Sequence, residues 1–359
     1  MTVEIVEKEP EEYEGLVRNS KYGMLYQSSK YLNLLNLFID AKLLFIIYKY
    51  NDCIKAAMPI FIKSNQKYGN VANSLPFYGS HGGVLLVDNL YFIEKIKILK
   101  EVLAYFKEEF VNTYDVSIST IITTPFEENV ELYKNILKPD FIDSRIGQIA
   151  TLPSIYDEQV LLYMFNKKCR NAVRKAIKCN VSINIMGDYD ENLIDKLYYM
   201  HVKHMESVNG IPKPLIFFEK INDFFELNKD YKIYYATYND NIIAMALLFY
   251  YKDVVEYYTP VVDSNHRSLN PMNLIIFKAM LDAVKDGFKL WNFGGTWKSQ
   301  TGVYRFKKSF GAKDFSYYYF INIYSDISEL LTLTPSEIQK EYRWFYVIPF
   351  NILKRCDRR

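Results

Sequence analysis

A lysine between two phenylalanines near the end of the chain has surroundings that suit acyl-transfer chemistry. Lys307 follows Phe306 and precedes Phe310, so its ammonium is expected to act at low local dielectric. When an amine attacks an acyl carbonyl, negative charge develops on the carbonyl oxygen, and a preorganised cation stabilises it. Lys307 is the candidate for that cation, with Phe306 beside it and Tyr304 shaping the wall of a cleft. The alternative is a solvated basic loop.

The neighbouring Lys308 offers a comparison within the same segment. In an extended segment adjacent side chains point to opposite faces, so Lys308 is expected to face water if Lys307 faces a cleft. No Ser-His-Asp or Cys-His arrangement is visible in the sequence. This favours direct attack by the amine over a covalent acyl-enzyme.

A second group of cations recurs at helical spacing. Intervals of three and four residues place Lys167, Arg170, Arg174 and Lys178 on one face of a helix. Such a row suits phosphate, pyrophosphate or a tRNA backbone, with Arg174 the first candidate. A solvated helix face is the commoner meaning of the same spacing.

The histidines allow two further interpretations. His81 stands in a glycine-rich turn, from which its imidazole can enter a cleft as a general base with a pKa near neutrality. A structural turn histidine is the alternative. His201 and His204 lie three residues apart on a predicted helix, but no third ligand is near them in sequence, so the sequence predicts no metal site.

Composition limits the class of partner and the compartment. Lys and Arg number 44 against 42 Asp and Glu, and the net charge of +2 provides no overall field for binding duplex nucleic acid. Any anion recognition must therefore be local. Four cysteines without CxxC spacing indicate a reducing cytoplasm. The sequence shows no signal peptide and no apolar stretch of the roughly 20 residues that span a bilayer.

A repeated pattern indicates two related α/β units. Tyr50–Ala56 and Tyr238–Ala244 agree at five of seven positions, and each contains an Asn-Asp hairpin turn. Each hairpin precedes a predicted strand, helix and strand, so the unit appears twice. In the second copy the helix is predicted over Pro271–Lys285, because Asn270 suits the N-cap and Gly287 suits the C′ position.

Three segments carry a family resemblance: Asn166–Ala176, which is basic; Gly302–Gly311, with a Tyr-x-Phe-Lys-x-x-Phe-Gly pattern; and Ser74–Gly83, with a Leu-Pro-Phe and Gly-Gly turn. With the repeated order of elements, they resemble the FemAB-like branch of the GNAT acetyltransferases. Members transfer amino acids from aminoacyl-tRNA to peptidoglycan precursors, with relatives in envelope-sugar acylation. The resemblance implies an α/β fold class with mixed sheets and two tandem GNAT-like domains, at 1–152 and 153–326.

The resemblance also implies the activity and a set of ligand-binding residues. It implies an N-acyltransferase without a tightly bound cofactor, using acyl-CoA or aminoacyl-tRNA as co-substrate and an amine on a nucleotide- or lipid-linked sugar or peptide as acceptor. The acceptor's phosphates would bind the basic helix, with Tyr78 also binding substrate. The family's phosphate turn aligns with residues 267–272, which makes the donor-binding candidates Arg267, Asn270, Met272 and Asn273.

That turn departs from the usual glycine-rich pattern. Pro271 removes a backbone donor, and Met272 adds bulk where the backbone must approach phosphate closely. The departure is the best argument for the alternative function, a non-catalytic GNAT-fold binding module in envelope glycan assembly.

The C-terminal segment, 327–359, is predicted to be amphipathic. Apolar residues fill Tyr342–Leu353, and four basic residues follow, Lys354, Arg355, Arg358 and Arg359. This composition is typical of an interfacial anchor, so the segment is expected either to contact the inner membrane face of a cytoplasmic protein or to dock on the first domain.

Overall fold

The structure is a computed structural model that describes residues 2–79, 81–296 and 300–353. Contacts divide the chain into two compact units, Met1–Arg145 with Ser316–Arg359, and Ile146–Phe315. Each unit has its own strands, helices and hydrophobic core. Within the described ranges no helix is both long and apolar enough to cross a membrane.

The strands of the first unit form a mixed arrangement. β1 (Thr2–Val6), β2 (Lys42–Tyr50) and β3 (Cys53–Lys63) are antiparallel neighbours, and β4 (Asn70–Asn73) and the short β5 (Leu85–Leu86) both pair with β3. β6 (Val116–Ile122) runs parallel to β4, and β13 (Lys313–Ile323) is antiparallel to β6. At the β2–β3 turn Asn51 and Asp52 have φ of 49° and 59°, which confirms the predicted hairpin and explains its Asn-Asp pair.

Helices pack against these strands. α1 (Tyr13–Asn19), α2 (Ser29–Asn36), α3 (Phe92–Asn112) and α4 (Val130–Leu137) precede the second unit, and α12 (Pro335–Glu341) and α13 (Phe350–Leu353) follow it. Short 3₁₀ turns occupy Leu25–Gln27 and Leu330–Thr332. α3 is the crossover that joins the parallel strands β4 and β6, as the repeated pattern predicted.

The described part of the C-terminal segment docks on the first unit. Tyr342, Val347 and Ile348 are buried in a cluster with Val71 and Ile118, which belong to the first unit's strands. The hydroxyl of Tyr342 donates to Gly69 O at 2.6 Å. Docking was one of the two predicted outcomes. The basic residues that would favour a membrane lie at 354–359, outside the described residues.

The second unit contains the other half of the repeat. Its strands run in the order β7 (Phe141–Thr151), β12 (Leu290–Thr296), β11 (Val254–Val262), β10 (Asn241–Tyr251), β9 (Tyr231–Tyr238) and β8 (Ser182–Ile185). All neighbours are antiparallel except β11 and β12. The β9–β10 turn repeats the first hairpin, because Asn239 and Asp240 have φ of 48° and 61°.

Seven helices are described in the second unit: α5 (Glu158–Met164), α6 (Lys167–Lys178), α7 (Glu191–Ser207), α8 (Leu215–Glu219), α9 (Ile221–Phe224), α10 (Pro271–Lys285) and α11 (Thr301–Lys308), with a 3₁₀ turn at Ser264–Leu269. α10 is the buried crossover between β11 and β12. Its bounds confirm the prediction, and Gly287 has the predicted positive φ, 86°. Asn270 occupies the N-cap position, but its amide donates to Ser268 O and makes no cap hydrogen bond.

Candidate active site

A cleft opens in the second unit where two parallel strands separate. β11 and β12 pair only through residues 254–256 and 290–292, and beyond Glu256 and Asn292 they diverge. On β11 an irregularity in the register makes Tyr258 an extra residue, so that both Tyr257 and Tyr258 line the cleft. The resulting cavity has a volume of about 720 Å³. We call it the β11–β12 cleft. Ligands of open α/β sheets commonly bind at such strand ends.

Lys307 lies in the wall of this cleft, at the end of α11. Its side chain is 7% exposed, and Nζ donates to Gly295 O at 2.9 Å, to Thr296 Oγ1 at 2.9 Å and to Gly294 O at 3.4 Å. Burial lowers the pKa of Lys307 to about 8. At neutral pH the residue is therefore a largely charged ammonium held against the end of β12.

The expectation of an extended segment around Lys307 was wrong, since this segment is helical. Side chains of consecutive residues on a helix point about 100° apart, so Lys307 and Lys308 still face different surroundings. Lys308 is half-exposed and pairs with Asp314 at 3.4 Å. The difference in environment between the two lysines is thus present, but its cause is the helix rather than strand alternation.

Two aromatic residues that precede Lys307 in the sequence, Phe306 and Tyr304, have different surroundings. Phe306 lines the cleft and packs edge-on against Phe310, with ring centroids 5.2 Å apart. Tyr304 is not among the described residues that line the cleft, and its hydroxyl donates to Asp314 Oδ2 at 2.7 Å. Its position corrects the expectation that Tyr304 shapes the cleft wall.

The four predicted donor-binding residues all line the same cleft. Arg267 comes from the 3₁₀ turn, and Asn270, Met272 and Asn273 come from the start of α10. Asn270 has a φ of 57°, the left-handed conformation that usually requires glycine. The first turn of a helix presents backbone N–H groups and the positive end of the helix dipole. The structure thus places Lys307 and the N-terminus of α10, which could hold an anion, on one cavity.

His204 also lines the cleft, and the sequence interpretation did not select it. Its pKa is lowered by burial first and then by the charges of Arg267 and Lys213, so the imidazole is neutral at pH 7. A neutral imidazole in a cleft can accept a proton. The three-residue spacing of His201 and His204 was examined only for metal binding, which is why His204 was missed.

His201 has a different role from His204. It is buried, and its Nε2 accepts the backbone N–H of Lys213 at 3.0 Å. Burial lowers the pKa of His201 to about 3 and that of Lys213 to about 7. The Lys213 ammonium lies 4.8 Å from the ring centre of Tyr258, behind the cleft wall. No group of three or more His, Cys, Asp or Glu that could hold a metal is found among the described residues.

The basic helix is α6, and its residues line a second cavity of the same unit. Asn166 caps the helix by accepting the N–H of Cys169 at 2.9 Å, which fixes the register of the basic face. Lys167, Arg170 and Arg174 line a cavity of about 310 Å³ with Tyr163. Arg170 also donates to Phe165 O. Lys178 is not among the described lining residues.

The remaining two predicted site residues lie in the first unit. His81 is 2% exposed, and its Nδ1 lies 3.2 Å from Thr123 O, between the rings of Tyr26 and Tyr317. Burial lowers the pKa of His81 to about 4. This burial corrects the general-base expectation and favours the structural alternative, because a base must reach the proton that it abstracts.

Tyr78 is part of an aromatic cluster in the first unit. Its ring contacts Phe77 and Trp344 edge-on, with ring centroids 5.5 and 5.7 Å away, and its carbonyl accepts from Tyr31 Oη at 3.3 Å. Burial raises the pKa of Tyr78 to about 12. The surroundings therefore keep the phenol protonated, and its assignment to substrate binding stays a prediction.

Comparison with known proteins agrees with this architecture. Residues 165–308 match the family model described as an acetyltransferase (GNAT) domain, and this match contains α6, α10 and Lys307. A search of curated proteins finds no match. Among solved structures, FemX is 14% identical with a TM-score of 0.66, covering 88% of this chain and 96% of its own.

Two further solved structures share the fold. A tandem GNAT protein from the clavulanic acid biosynthesis pathway is 11% identical with a TM-score of 0.56, covering 90% of this chain and 100% of its own. L-PGS from Bacillus licheniformis is 12% identical with a TM-score of 0.54, covering 90% of this chain and 95% of its own. At these identities the likeness shows the fold alone, and the activity class comes from the family model. Residues 165–308 are a GNAT acetyltransferase domain, whose activity class is acyl transfer, and the whole chain shares the fold of FemX and of the tandem GNAT protein.

Proposed function

We propose that this acyltransferase joins an acyl or aminoacyl group, carried by acyl-CoA or aminoacyl-tRNA, to an amine of a nucleotide- or lipid-linked cell-envelope precursor. The observation that carries the proposal is the shared location of Lys307, His204 and the α10 N-terminus in the β11–β12 cleft. An anion site, a fixed cation and a neutral base are the groups that amide formation from an activated acyl donor uses.

The first step is donor binding. The donor's phosphate would lie at the N-terminus of α10, with Arg267 supplying a charge-assisted contact. Pro271 removes one N–H from this terminus, but the missing donor is among those that the helix leaves unbonded in any case. Met272 is 6% exposed and packs into the core, so its bulk is directed mainly away from the donor.

The second step is attack by the amine. The acceptor nitrogen forms a bond to the carbonyl carbon, and the bond from that carbon to the donor's thioester sulfur or ester oxygen breaks. His204, neutral at pH 7, takes the proton that the nitrogen loses and returns it to the leaving sulfur or oxygen. Lys307 would stabilise the carbonyl oxygen as it becomes negative. Its contact with Gly294 O is the longest of its three, at 3.4 Å, and is the one most readily exchanged for a substrate oxygen.

The acceptor would be held by its phosphates at α6. Arg174 is exposed and Arg170 is partly engaged by Phe165 O, so Arg174 has the greater freedom to bind a ligand. A guanidinium binds phosphate through two parallel hydrogen bonds, which orients the acceptor as well as attracting it. The envelope acceptor itself rests on the resemblance of the basic segment to FemAB-like enzymes.

Transfer can be tested directly by mass spectrometry. The protein is incubated with a nucleotide-linked peptide or amino-sugar and with either acyl-CoA or charged tRNA, and the acceptor is examined for added acyl mass. A gain with one donor that is absent without protein supports the proposal and identifies the donor. No gain with either donor, from folded protein that binds the acceptor, would return the chain to the non-catalytic alternative.

A further inference from the structure

The end of β12 contains a β-bulge. Two of its residues, Phe293 and Gly294, stand opposite a single residue of β7, Gln148, because the register shifts between positions 292 and 295. Gly294 has a φ of 71°, a left-handed conformation that glycine adopts readily. In a regular strand consecutive carbonyls point to opposite sides, whereas here the carbonyls of Gly294 and Gly295 both accept from Lys307 Nζ. The bulge therefore supplies two of the three acceptors of this ammonium.

A buried side chain, Asn292, holds the bulge in this shape. Its Oδ1 accepts the backbone N–H of Gly294 at 2.8 Å, and its Nδ2 donates to Glu256 Oε2 at 2.8 Å. Both Asn292 and Glu256 are buried, so these hydrogen bonds form where water competes with them little. The two carbonyls that face Lys307 are thus fixed before a substrate arrives.

The third acceptor of Lys307 is a hydroxyl whose proton is already used. Thr296 Oγ1 accepts from Nζ at 2.9 Å and donates to Gln148 Oε1 at 3.0 Å. The other end of the amide fixes this direction, because Gln148 Nε2 donates at 3.2 Å to the carbonyl of Tyr304, which can only accept. Gln148 Oε1 therefore faces the hydroxyl and takes its single proton. Thr296 is left with lone pairs alone to present to Lys307.

This arrangement of acceptors favours the charged form of Lys307. An ammonium has three N–H donors, one for each acceptor, whereas a neutral amine has two and would turn its lone pair toward an acceptor oxygen. If the Thr296 hydroxyl were able to rotate, its proton would bind that lone pair and stabilise the neutral amine. The hydrogen bond to Gln148 prevents the rotation. It opposes the effect of burial, which lowers the pKa of Lys307 to about 8.

We propose that Gln148 is a positioning residue for acyl transfer, which keeps Lys307 in its charged, donating form by orienting the Thr296 hydroxyl. The inference rests on the proposed function, in which the Lys307 ammonium stabilises the carbonyl oxygen as it becomes negative. Gln148 is buried and is not among the described residues that line the cleft, so it acts through Thr296. It lies on β7, outside residues 165–308, so the segment that matches the GNAT model does not contain all of the site.

The charge on Lys307 can be followed without any substrate. In protein grown with lysine isotopically labelled at Cε, the Cε chemical shift follows protonation of Nζ, and the spectrum of Lys307→Met identifies the signal. Wild-type Lys307 should titrate near pH 8. Gln148→Met, which has a similar length but no acceptor or donor, should lower this titration by roughly one pH unit, since hydrogen bonds to charged groups contribute about that much.

A second substitution at the same position separates hydrogen bonding from packing. Gln148→Glu keeps an acceptor toward the Thr296 hydroxyl, so the titration of Lys307 should stay at the wild-type pH or rise above it. Equal downward shifts in Gln148→Met and Gln148→Glu would overturn the inference, and so would an unchanged titration in Gln148→Met.

Substitutions at Thr296 provide the matched control for the hydroxyl itself. Thr296→Val keeps the shape and removes the hydroxyl, so it should lower the titration of Lys307 at least as far as Gln148→Met does. Thr296→Ser keeps the hydroxyl and should titrate as wild type. Melting temperatures establish that each variant is folded. Equal shifts in Thr296→Val and Thr296→Ser would show that packing rather than the hydroxyl sets the charge.

Other groups around Lys307 remain unchanged in these variants. The charged or titratable residues that line the cleft with it, that flank it on α11 and β13, or that lie behind Asn292 are His204, Arg267, Tyr257, Tyr258, Lys308, Asp314 and Glu256. A shift that appears in Gln148→Met and is absent from Gln148→Glu therefore reports the orientation of the hydroxyl.

The inference and the proposed function can fail separately. The expected shifts, together with a wild-type transfer rate for Lys307→Met, would keep the positioning role of Gln148 and refute the catalytic use of the ammonium. Slow transfer by Lys307→Met, with a titration that Gln148→Met leaves unchanged, would keep the proposed function and refute the inference. If both hold, the pH above which wild-type transfer falls should move down in Gln148→Met by the same amount as the titration.

Discussion

Lys307 donates to the hydroxyl of Thr296 at 2.9 Å, and this bond connects the last turn of α11 to the end of β12. The Thr296 hydroxyl donates in turn to Gln148 Oε1 at 3.0 Å, and Gln148 Nε2 donates back to the carbonyl of Tyr304 on α11 at 3.2 Å. The closed ring fixes the ammonium before any substrate binds. Such preorganisation makes a cation effective at a transition state.

Replacing the buried lysine should affect the rate of acyl transfer. Lys307→Met keeps an apolar stem and deletes the charge, so single-turnover transfer from saturating donor should slow by about 10² or more with little change in donor affinity. Lys308→Met, which removes a half-exposed lysine paired with Asp314, is the control and should retain nearly the full rate. Equal losses in the two variants would indicate a general basic surface.

The pH dependence of unfolding and of the transfer rate should distinguish the effect of the Lys307 charge on stability from its effect on catalysis. Because burial lowers its pKa from 10.5 to about 8, the unfolded chain binds the proton more strongly between these values, and the free energy of unfolding should rise with pH from about 8 to 10.5. Transfer needs the ammonium and should fall above pH 8. The acceptor amine titrates equally in both proteins, so the ratio of the wild-type to the Lys307→Met transfer rate cancels its effect. A ratio that does not change with pH would show that transfer does not use the Lys307 charge.

His204 should act as the proton acceptor. His204→Asn should lower transfer by roughly 10² or more, the usual contribution of a general base. Because the neutral form is required and burial with Arg267 and Lys213 lowers the pKa, wild-type activity should persist below pH 6.5. Lys203→Ala, exposed on the same helix, is the control. A variant whose pH–rate profile keeps the wild-type shape would refute the assignment.

Arg174→Ala should weaken acceptor binding without changing the fold. A charge-assisted contact to phosphate contributes about 1.5–3 kcal/mol, so affinity should fall by roughly tenfold or more. Calorimetry with a nucleotide-linked precursor measures this change. Lys175→Ala removes an exposed cation of α6 that is not among the residues lining the cavity, and it should bind normally. The same loss in both variants would favour a solvated helix face.

The basic end of the chain should give salt-sensitive binding to anionic vesicles. Replacing Lys354, Arg355, Arg358 and Arg359 by serine should abolish that binding, because each basic residue near an anionic surface contributes about 1 kcal/mol. Truncation after Gln339 is a poorer test, since it deletes Tyr342, Val347 and Ile348 from the first unit's core. Flotation of wild type and serine variant to the same extent would exclude the anchor.

Local signals explain which elements the sequence could predict. The hairpins follow from Asn-Asp turns, and α10 follows from the proline at its start and the glycine after its end, so each signal lies next to the structure that it predicts. α11 lacks such signals, because Gln300 makes no side-chain cap and Gly302 lies inside the helix. Its helical conformation, and with it the direction of Tyr304, therefore could not be assigned from the sequence.

The candidate site was only partly predictable because its residues are far apart in the sequence. The cleft brings His204, Arg267 and Lys307 together from α7, the 3₁₀ turn and α11, and no sequence spacing relates them. Lys307 was selected because it belongs to a segment with a family resemblance, and Arg267 because it aligns with the family's phosphate turn. His204 has no such segment and becomes a candidate only when the lining of the cavity is known. The burial of His81 likewise depends on distant partners, Thr123 and Tyr317.

The order of the two units along the chain has a consequence for synthesis on the ribosome. The second unit ends at Phe315, whereas the first needs Ser316–Arg359, which include most of β13 and the cluster around Tyr342. The unit that begins first can therefore be completed only last, after the whole GNAT domain has emerged. Until then β6 has an unpaired edge and part of the first core stays open. A nascent chain of which only residues 1–315 have emerged from the ribosome should expose that core to chaperones while its second unit can already fold.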